Sequence, residues 1–388
     1  MKVAKLKTET RVRRDTYNNQ QKIMQYGEDN AYPQDMLKLV NASRTAKSCL
    51  RQWERFVAGQ GFATPTLNEV RVNSKQTLLR LHRLLAADWV AQRGFAVLVG
   101  YNGLLEEVSY KFVPFETCRL EVDKEKNLTG RVAVHPDWTK ESGKKFKTED
   151  IKYYNQYTAD KNEVYRLVAE AGGFSQFNGL IYYFTGDATE YPENNLDTIR
   201  ELMATQASSD NIRVRNTKYN FMPAGILYRK KGAAVSNPDD PTDGELGNDE
   251  ADSFVEDIEQ WQGSETAAKI IVIDQDIDEE GIEFKPFPIN NLDKYTESTD
   301  KEVKEGIRSF LCVPPELMGL EGGRGFASDV MQQAYDYFNS VTEAERKELE
   351  SAYSEVFGRL LERTASEKYE IVPLSYLNKP TNGDTSNN

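Results

Sequence analysis

Apolar residues recur along this chain with two periods, and the change from one to the other divides it. Met36, Leu37, Leu39 and Val40, then Ala46, Cys49, Leu50 and Trp53, keep the three- and four-residue spacing of helices over 36–56. Residues 74–92 read as a second helix whose core side is Leu78, Leu79, Leu81, Leu84, Leu85, Trp89 and Val90, with Ser74 placed as N-cap and Gly94 as a left-handed C-cap. Extended runs follow at 95–101, 108–114, 118–122, 130–135, 151–156 and 180–184, and Asn102-Gly103 is a hairpin signal. Helices followed by strands, without alternation, predict an α+β class and not a doubly wound sheet. Residues 1–30, rich in Lys, Arg, Asn and Gln, read as an arm or surface segment.

The second half opens with a helix after Asn195, through Leu196, Ile199, Leu202 and Met203 to about Arg215. A strand at 221–228, a short amphipathic helix at 250–261 and strands at 268–274 and 282–287 come next. Leu292, Tyr295, Val303, Ile307, Phe310 and Leu311 then form one apolar stripe on a charged helix. Cys312-Val313-Pro314-Pro315 stops it, because proline lacks the N–H donor and pushes its predecessor out of the α region. After Gly322-Gly323-Arg324-Gly325 the helical period resumes at Ala327 and runs to Leu361, about 45–50 Å at 1.5 Å per residue. Within it, Thr342 and Glu345 match a capping box, which predicts a kink or restart. Residues 369–374 predict one short strand, and 378–388 a disordered tail.

Composition narrows the classes. With 388 residues the chain is long enough for two or three domains; it is 39% hydrophobic and 29% charged, with mean hydropathy −0.66, which suits an elongated subunit or one with large solvated faces. No apolar run approaches membrane-spanning length, and the basic N-terminus has no apolar stretch behind it, so neither a membrane nor a secretory role is expected. Three widely spaced cysteines, Cys49, Cys118 and Cys312, form no disulfide or metal spacing and point to a reducing cytoplasm during assembly. The net charge of −13 fits a soluble acidic protein without a nucleic-acid role, or a channel wall along which DNA slides without strong phosphate contacts.

Catalytic signatures are missing. There is no G-x-x-x-x-G-K-[ST], no H-E-x-x-H and no Cys-x-x-Cys. The two histidines, His82 in a leucine-rich helix and His135 before Pro136, read as structural. Asp239, Asp243, Gly244 and Glu250 sit at four positions of a calcium loop, but Pro241 occupies a ligand position, so 237–252 reads as a solvated acidic loop. No catalytic residue, metal or cofactor is assigned.

Two long helices joined by a glycine segment, the second one kinked, resemble the central part of the portal proteins of tailed bacteriophages. Residues 307–319 (Ile-Arg-Ser-Phe-Leu-Cys-Val-Pro-Pro-Glu-Leu-Met-Gly) and 326–338 carry the resemblance; 94–119 extends it through a strand, an Asn-Gly turn and Val113-Pro114-Phe115. The resemblance implies a portal-type fold: arm and wing over 1–190, first stem helix 191–215, a small α/β clip 216–289, second stem helix 290–311, tunnel loop 312–326, kinked tunnel helix 327–366, and a reduced crown with a disordered tail over 367–388. It implies a homo-oligomer of twelve subunits around a channel for double-stranded DNA, in the virion at one capsid vertex. Terminase large subunit, which supplies the ATPase this chain lacks, major capsid protein and a head–tail adaptor would be its partners. Gly322, Gly323, Arg324, Gly325 and Phe326 become tunnel-loop residues, with a flexible helix–helix linker as the plainer reading. Lys230, Lys231 and Lys285 become clip-level contacts, against an ordinary solvated surface. Outside the resemblance stand a metal-dependent nuclease built on clustered carboxylates and a non-ring scaffold or adaptor protein.

Overall fold

The computed structural model describes residues 16–18, 22–27, 29–140, 147–219, 225–230, 271–275, 283–286, 292–319, 328–364 and 368–376. The chain divides into two compact units: residues 1–41, 45–198 and 308–388 form the first, and 42–44 with 199–307 the second.

In the first unit, helices α1 (Tyr32–Ala42), α2 (Arg44–Ala58), α3 (Pro65–Glu69) and α4 (Leu78–Gln92) precede most of an eight-stranded sheet. Its strands are β1 (Thr16–Asn18), β2 (Ile23–Gln25), β3 (Phe95–Tyr101), β4 (Glu107–Val113), β5 (Cys118–Val122), β6 (Leu128–Val134), β7 (Lys152–Gln156) and β8 (Leu180–Phe184), in the order β1-β2-β5-β6-β7-β8-β3-β4. Every neighbouring pair is antiparallel except β7 and β8. That parallel pair needs a crossover, which helix α5 (Lys161–Glu170) supplies. The sequence pattern missed α5 because only Val164 and Leu167 on it are buried, too few to set a period.

Three local expectations are corrected. The N-cap of α4 is Thr77, whose hydroxyl accepts from the Arg80 amide, and not Ser74; Asn73 Oδ1 accepts from the amides of Lys75 and Gln76 and holds 73–76 in a turn. The left-handed residue closing α4 is Arg93 (φ 58°), not Gly94. Gly94 is needed for space, since a Cβ there would lie 2.4 Å from the Phe115 ring. The described residues 22–27 and 29–30 are no surface arm: Ile23, Met24, Tyr26 and Asn30 are buried. Arg119, wholly buried on β5, donates to the side chain and carbonyl of Asn30 and to the carbonyls of Glu116 and Cys118, and it lies over the rings of Tyr26 and Trp138. Burial disfavours that charge and lowers its pKa, and neutral acceptors on every side offset the cost.

The C-terminal helices complete this core. Helix α8 (Ser328–Val341) is followed by α9 (Glu343–Val356) and α10 (Gly358–Thr364). Leu349, Ala352, Tyr353, Val356, Phe357 and Leu360 pack with Leu81, Leu85 and Trp89 of α4 and with Phe95 and Val97 of β3. His82 is sealed inside. Its Nε2 lies 2.9 Å from the Ala58 carbonyl, which can only accept, so Nε2 carries the proton and the Tyr353 hydroxyl donates to Nδ1 at 2.9 Å. Burial pushes its pKa down to about 4. Residues 369–374 form no strand; Ile371 makes an isolated bridge to Phe62, flanked by backbone bonds from Gln60 and Ala63.

The predicted interruption is present at Thr342, but its mechanism differs. Thr342 does not cap with its side chain; its hydroxyl donates back to the Phe338 carbonyl at 2.8 Å, a bond that bends helices. Glu345 turns away to accept from Trp89 Nε1 (2.7 Å) and Arg93. Arg346 fills the break. It donates to the carbonyls of Asn339 (2.7 Å) and Phe56 (3.0 Å) and to Thr342 Oγ1 (2.7 Å). Phe56 lies in the last turn of α2 and Asn339 in the last turn of α8, so one guanidinium serves the C-terminal carbonyls of two helices.

The second unit holds α6 (Arg200–Tyr219), α7 (Leu292–Phe310) up to Ile307, and a three-stranded sheet. Strand β9 (Gly225–Lys230) lies between β10 (Ile271–Gln275), parallel to it, and β11 (Glu283–Pro286), antiparallel. The helix expected at 250–261 lies outside the described residues. A Cβ on Gly306 would stand 3.0 Å from Leu202 Cδ1, and Asp300 pairs with Arg213, so α6 and α7 lie side by side and antiparallel. Asp300 is buried among Lys304 (2.7 Å), Arg44 (3.2 Å) and Arg213 (3.3 Å). Burial pushes its carboxyl upward, but Lys304 and Arg213 outweigh it and hold the pKa below the usual range. Ser43 donates to Gln206 Oε1 at 2.6 Å nearby.

Two outcomes follow. Asp88 on α4 accepts from the Phe115 amide at 2.8 Å; burial, aided by the charges of Glu116 and Glu54, pushes its pKa up to about 7 against that hydrogen bond. A carboxyl raised in the folded state contributes stability at acid pH that is lost as pH rises through about 7. Asp88→Asn, which keeps an acceptor, therefore gains more melting temperature over the native chain at pH 8 than at pH 5. Equal gains at both values rule this out. Arg346→Met keeps the aliphatic stem but strands two helix-end carbonyls, and urea unfolding should register a loss of about 3 kcal/mol.

Candidate functional site

The segment that the sequence singles out, Gly322, Gly323, Arg324, Gly325 and Phe326, lies outside the described residues, as do Lys231 and the acidic loop 237–252. Lys230 is the last residue of β9, opposite Gln275, and Lys285 lies on β11 opposite Ile226. What the structure describes is the chain on either side of the glycines, and it is firmly held.

Helix α7 ends before its prolines. The Cys312 amide donates to Ser309 O and the Val313 amide to Arg308 O, the paired bonds of a Schellman turn. Its left-handed position, usually glycine, is Cys312 at φ 52°. Pro314 and Pro315 then lead into a 3₁₀ turn, Pro315–Met318, closed by Gly319 at φ 65°. Helix α2 grips this whole exit: Trp53 Nε1 donates to Leu311 O (2.8 Å), Gln52 Nε2 donates to Leu317 O (2.9 Å), and Cys49 Sγ lies 3.9 Å from Met318 Sδ.

The other flank is gripped by the same helix. The rings of Trp53 and Phe56 meet Phe338 edge-on, at 5.5 and 4.8 Å between centroids, and Phe56 also meets Tyr335 at 5.0 Å. Between α8 and the proline turn lies a groove of about 510 Å³. Val313, Pro314, Pro315, Val330, Ala334 and Tyr337 give it apolar walls; Arg308 and Glu316 add one charge of each sign.

The site offers anchoring more than reactivity. Cys49 has its thiol pushed up to about 12 by burial, which disfavours thiolate chemistry. Cys312 is exposed. His82 is spoken for at both ring nitrogens, and His135 Nδ1 accepts from the Asp137 amide. Among the described residues no group of three metal-ligating side chains comes together, and no helix is long and apolar enough to cross a membrane. Sequence reasoning placed Trp53 correctly on the apolar face of α2 but gave no sign that its indole N–H reaches Leu311. Arg346 was invisible, because a charged residue in a charged helix reads as solvated.

No family model matches the sequence, and no curated protein matches it. Solved structures do match in fold. One is a chain from the virion of a native gene transfer agent particle, 12% identical, covering 89% of this chain and 85% of that one at a TM-score of 0.50. A chain from the neck of that native particle, computed with C12 symmetry, is 13% identical and covers 83% and 80% at 0.45. An HK97-family phage portal protein from Corynebacterium diphtheriae is 10% identical and covers 82% and 88% at 0.38. The likeness to the virion chain is one of fold, across nearly the whole length.

Proposed function

We propose that this chain is a portal protein, the ring-forming subunit through which double-stranded DNA enters and leaves a phage-type particle. The observation that carries this reading is the fold shared with a virion chain over 89% of the length. The order α7, proline turn, glycine-bearing segment and interrupted α8–α9 helix supports it. In this reading α6 and α7 are the stem helices, the β9–β11 sheet belongs to the clip, residues 312–326 are the tunnel loop, and 327–366 the kinked tunnel helix. Twelve copies close head to tail, each touching two neighbours through different faces.

The mechanism is that of a conduit. A separate terminase supplies the motor, since this sequence has no phosphate cradle. The capsid protein surrounds the ring, and a head–tail adaptor docks on the clip, where Lys230, Lys231 and Lys285 would lie. Gly322, Gly323 and Gly325 let the loop change shape as DNA passes, Arg324 offers one phosphate contact per copy, and Phe326 braces the loop. The grip of α2 on both flanks would confine that movement to the loop itself.

Negative-stain microscopy of the purified full-length chain is the test. Closed rings of about twelve copies with a central hole are expected. A chain that stays monomeric under all assembly conditions overturns the reading.

A further inference from the structure

Charge in this protein is segregated. The whole chain carries 49 Lys and Arg against 62 Asp and Glu, yet residues 44–93 carry nine against three. Helix α2 concentrates the excess. Lys47, Arg51 and Arg55 follow one another at four-residue steps, so they share one face over about 12 Å of helix. All three are exposed, and among the described residues none of them is in an ion pair. Arg55 only donates to the neutral Gln52 side chain. The sole acid of α2 is Glu54, at the edge of this face; burial pushes its carboxyl up against the opposing charges of Arg51 and Lys47.

The rest of that face decides what it fits. Between the cations the exposed residue is Ser48, and every apolar residue of α2 is turned inward or half-buried. A protein partner docks on apolar and aromatic anchors, which are missing here. A phosphate backbone needs only solvated cations at regular spacing, with no side chain to read sequence. The opposite face of the same helix holds Leu311, Leu317 and Phe338 through Trp53, Gln52 and Phe56, so the cations stand on a braced element.

We infer that the Lys47–Arg51–Arg55 face of α2 is a second contact for the phosphate backbone of double-stranded DNA, separate from the glycine segment. It takes its ligand from the portal reading and adds the surface. Binding there is independent of sequence and salt-sensitive. Its strength is modest, because three cations act in a chain of net charge −13.

Fluorescence anisotropy with a labelled mixed-sequence duplex, titrated with salt, tests this on the full chain, with negative-stain images and circular dichroism of every variant. For K47Q/R51Q/R55Q the slope of log affinity against log salt should shrink by about 0.9 per cation removed, with at least about tenfold weaker binding at 100 mM salt. K47R/R51K/R55K should retain the native slope. An unchanged slope in the folded neutral variant overturns the inference while leaving any ring intact. So does a native chain that binds no duplex at low salt. Rings lost only in the neutral variant also overturn it, and assign the face to contacts between copies. Native chain that binds duplex through these residues without forming rings upholds the inference and sinks the portal reading.

Discussion

A helix end leaves carbonyls that its own backbone cannot serve, and two such ends meet at one buried cation. Arg346 donates to Phe56 O at the end of α2 and to Asn339 O at the end of α8. Both helices point the negative ends of their dipoles at it. Burial lowers its pKa, and nearby Glu343 and Glu350 oppose that shift. The break at Thr342 makes room for the guanidinium, and the guanidinium in turn bonds the Thr342 hydroxyl. Interruption and clamp are therefore one feature: where the helix is interrupted, the Asn339 carbonyl is served by a side chain.

Fixing the end of α2 has consequences along its length. The helix presents Trp53 and Gln52 to the chain leaving α7, and Phe56 to α8. The segment between, which carries the glycines, thus begins and ends on positions locked by the same rigid element. On the portal reading proposed above, a loop that changes shape around passing DNA would need roots that stay still. The Schellman turn at Cys312 and the left-handed Gly319 set the direction of that exit without any need for the prolines to break the helix.

Electrostatics divide the labour differently in each unit. In the first, Arg119 is buried against neutral hydrogen-bond acceptors and aromatic faces, which ties Tyr26 and Asn30 to the sheet. In the second, Asp300 is buried against three cations and joins α6, α7 and the Ala42–Arg44 link. Both arrangements use charge for position, and neither leaves a group poised to react.

The periodic parts of the chain were legible in the sequence alone. Strands Phe95–Tyr101, Cys118–Val122 and Leu180–Phe184 stand where hydrophobic spacing put them, because each buries enough apolar surface to impose its own period. The α+β class was readable for the same reason, whereas the interruption near Thr342 was read from a Thr-x-x-Glu spacing that the structure does not use as a cap. Helix α5, with two buried residues, was not, and neither was the burial of the polar stretch around Tyr26 and Asn30. Those depend on partners far away in sequence. Arg119 waits 89 residues beyond Asn30, and Arg346 lies 290 beyond Phe56. A buried cation and a solvated one are the same letter, and only the carbonyls that tertiary packing brings to it distinguish them.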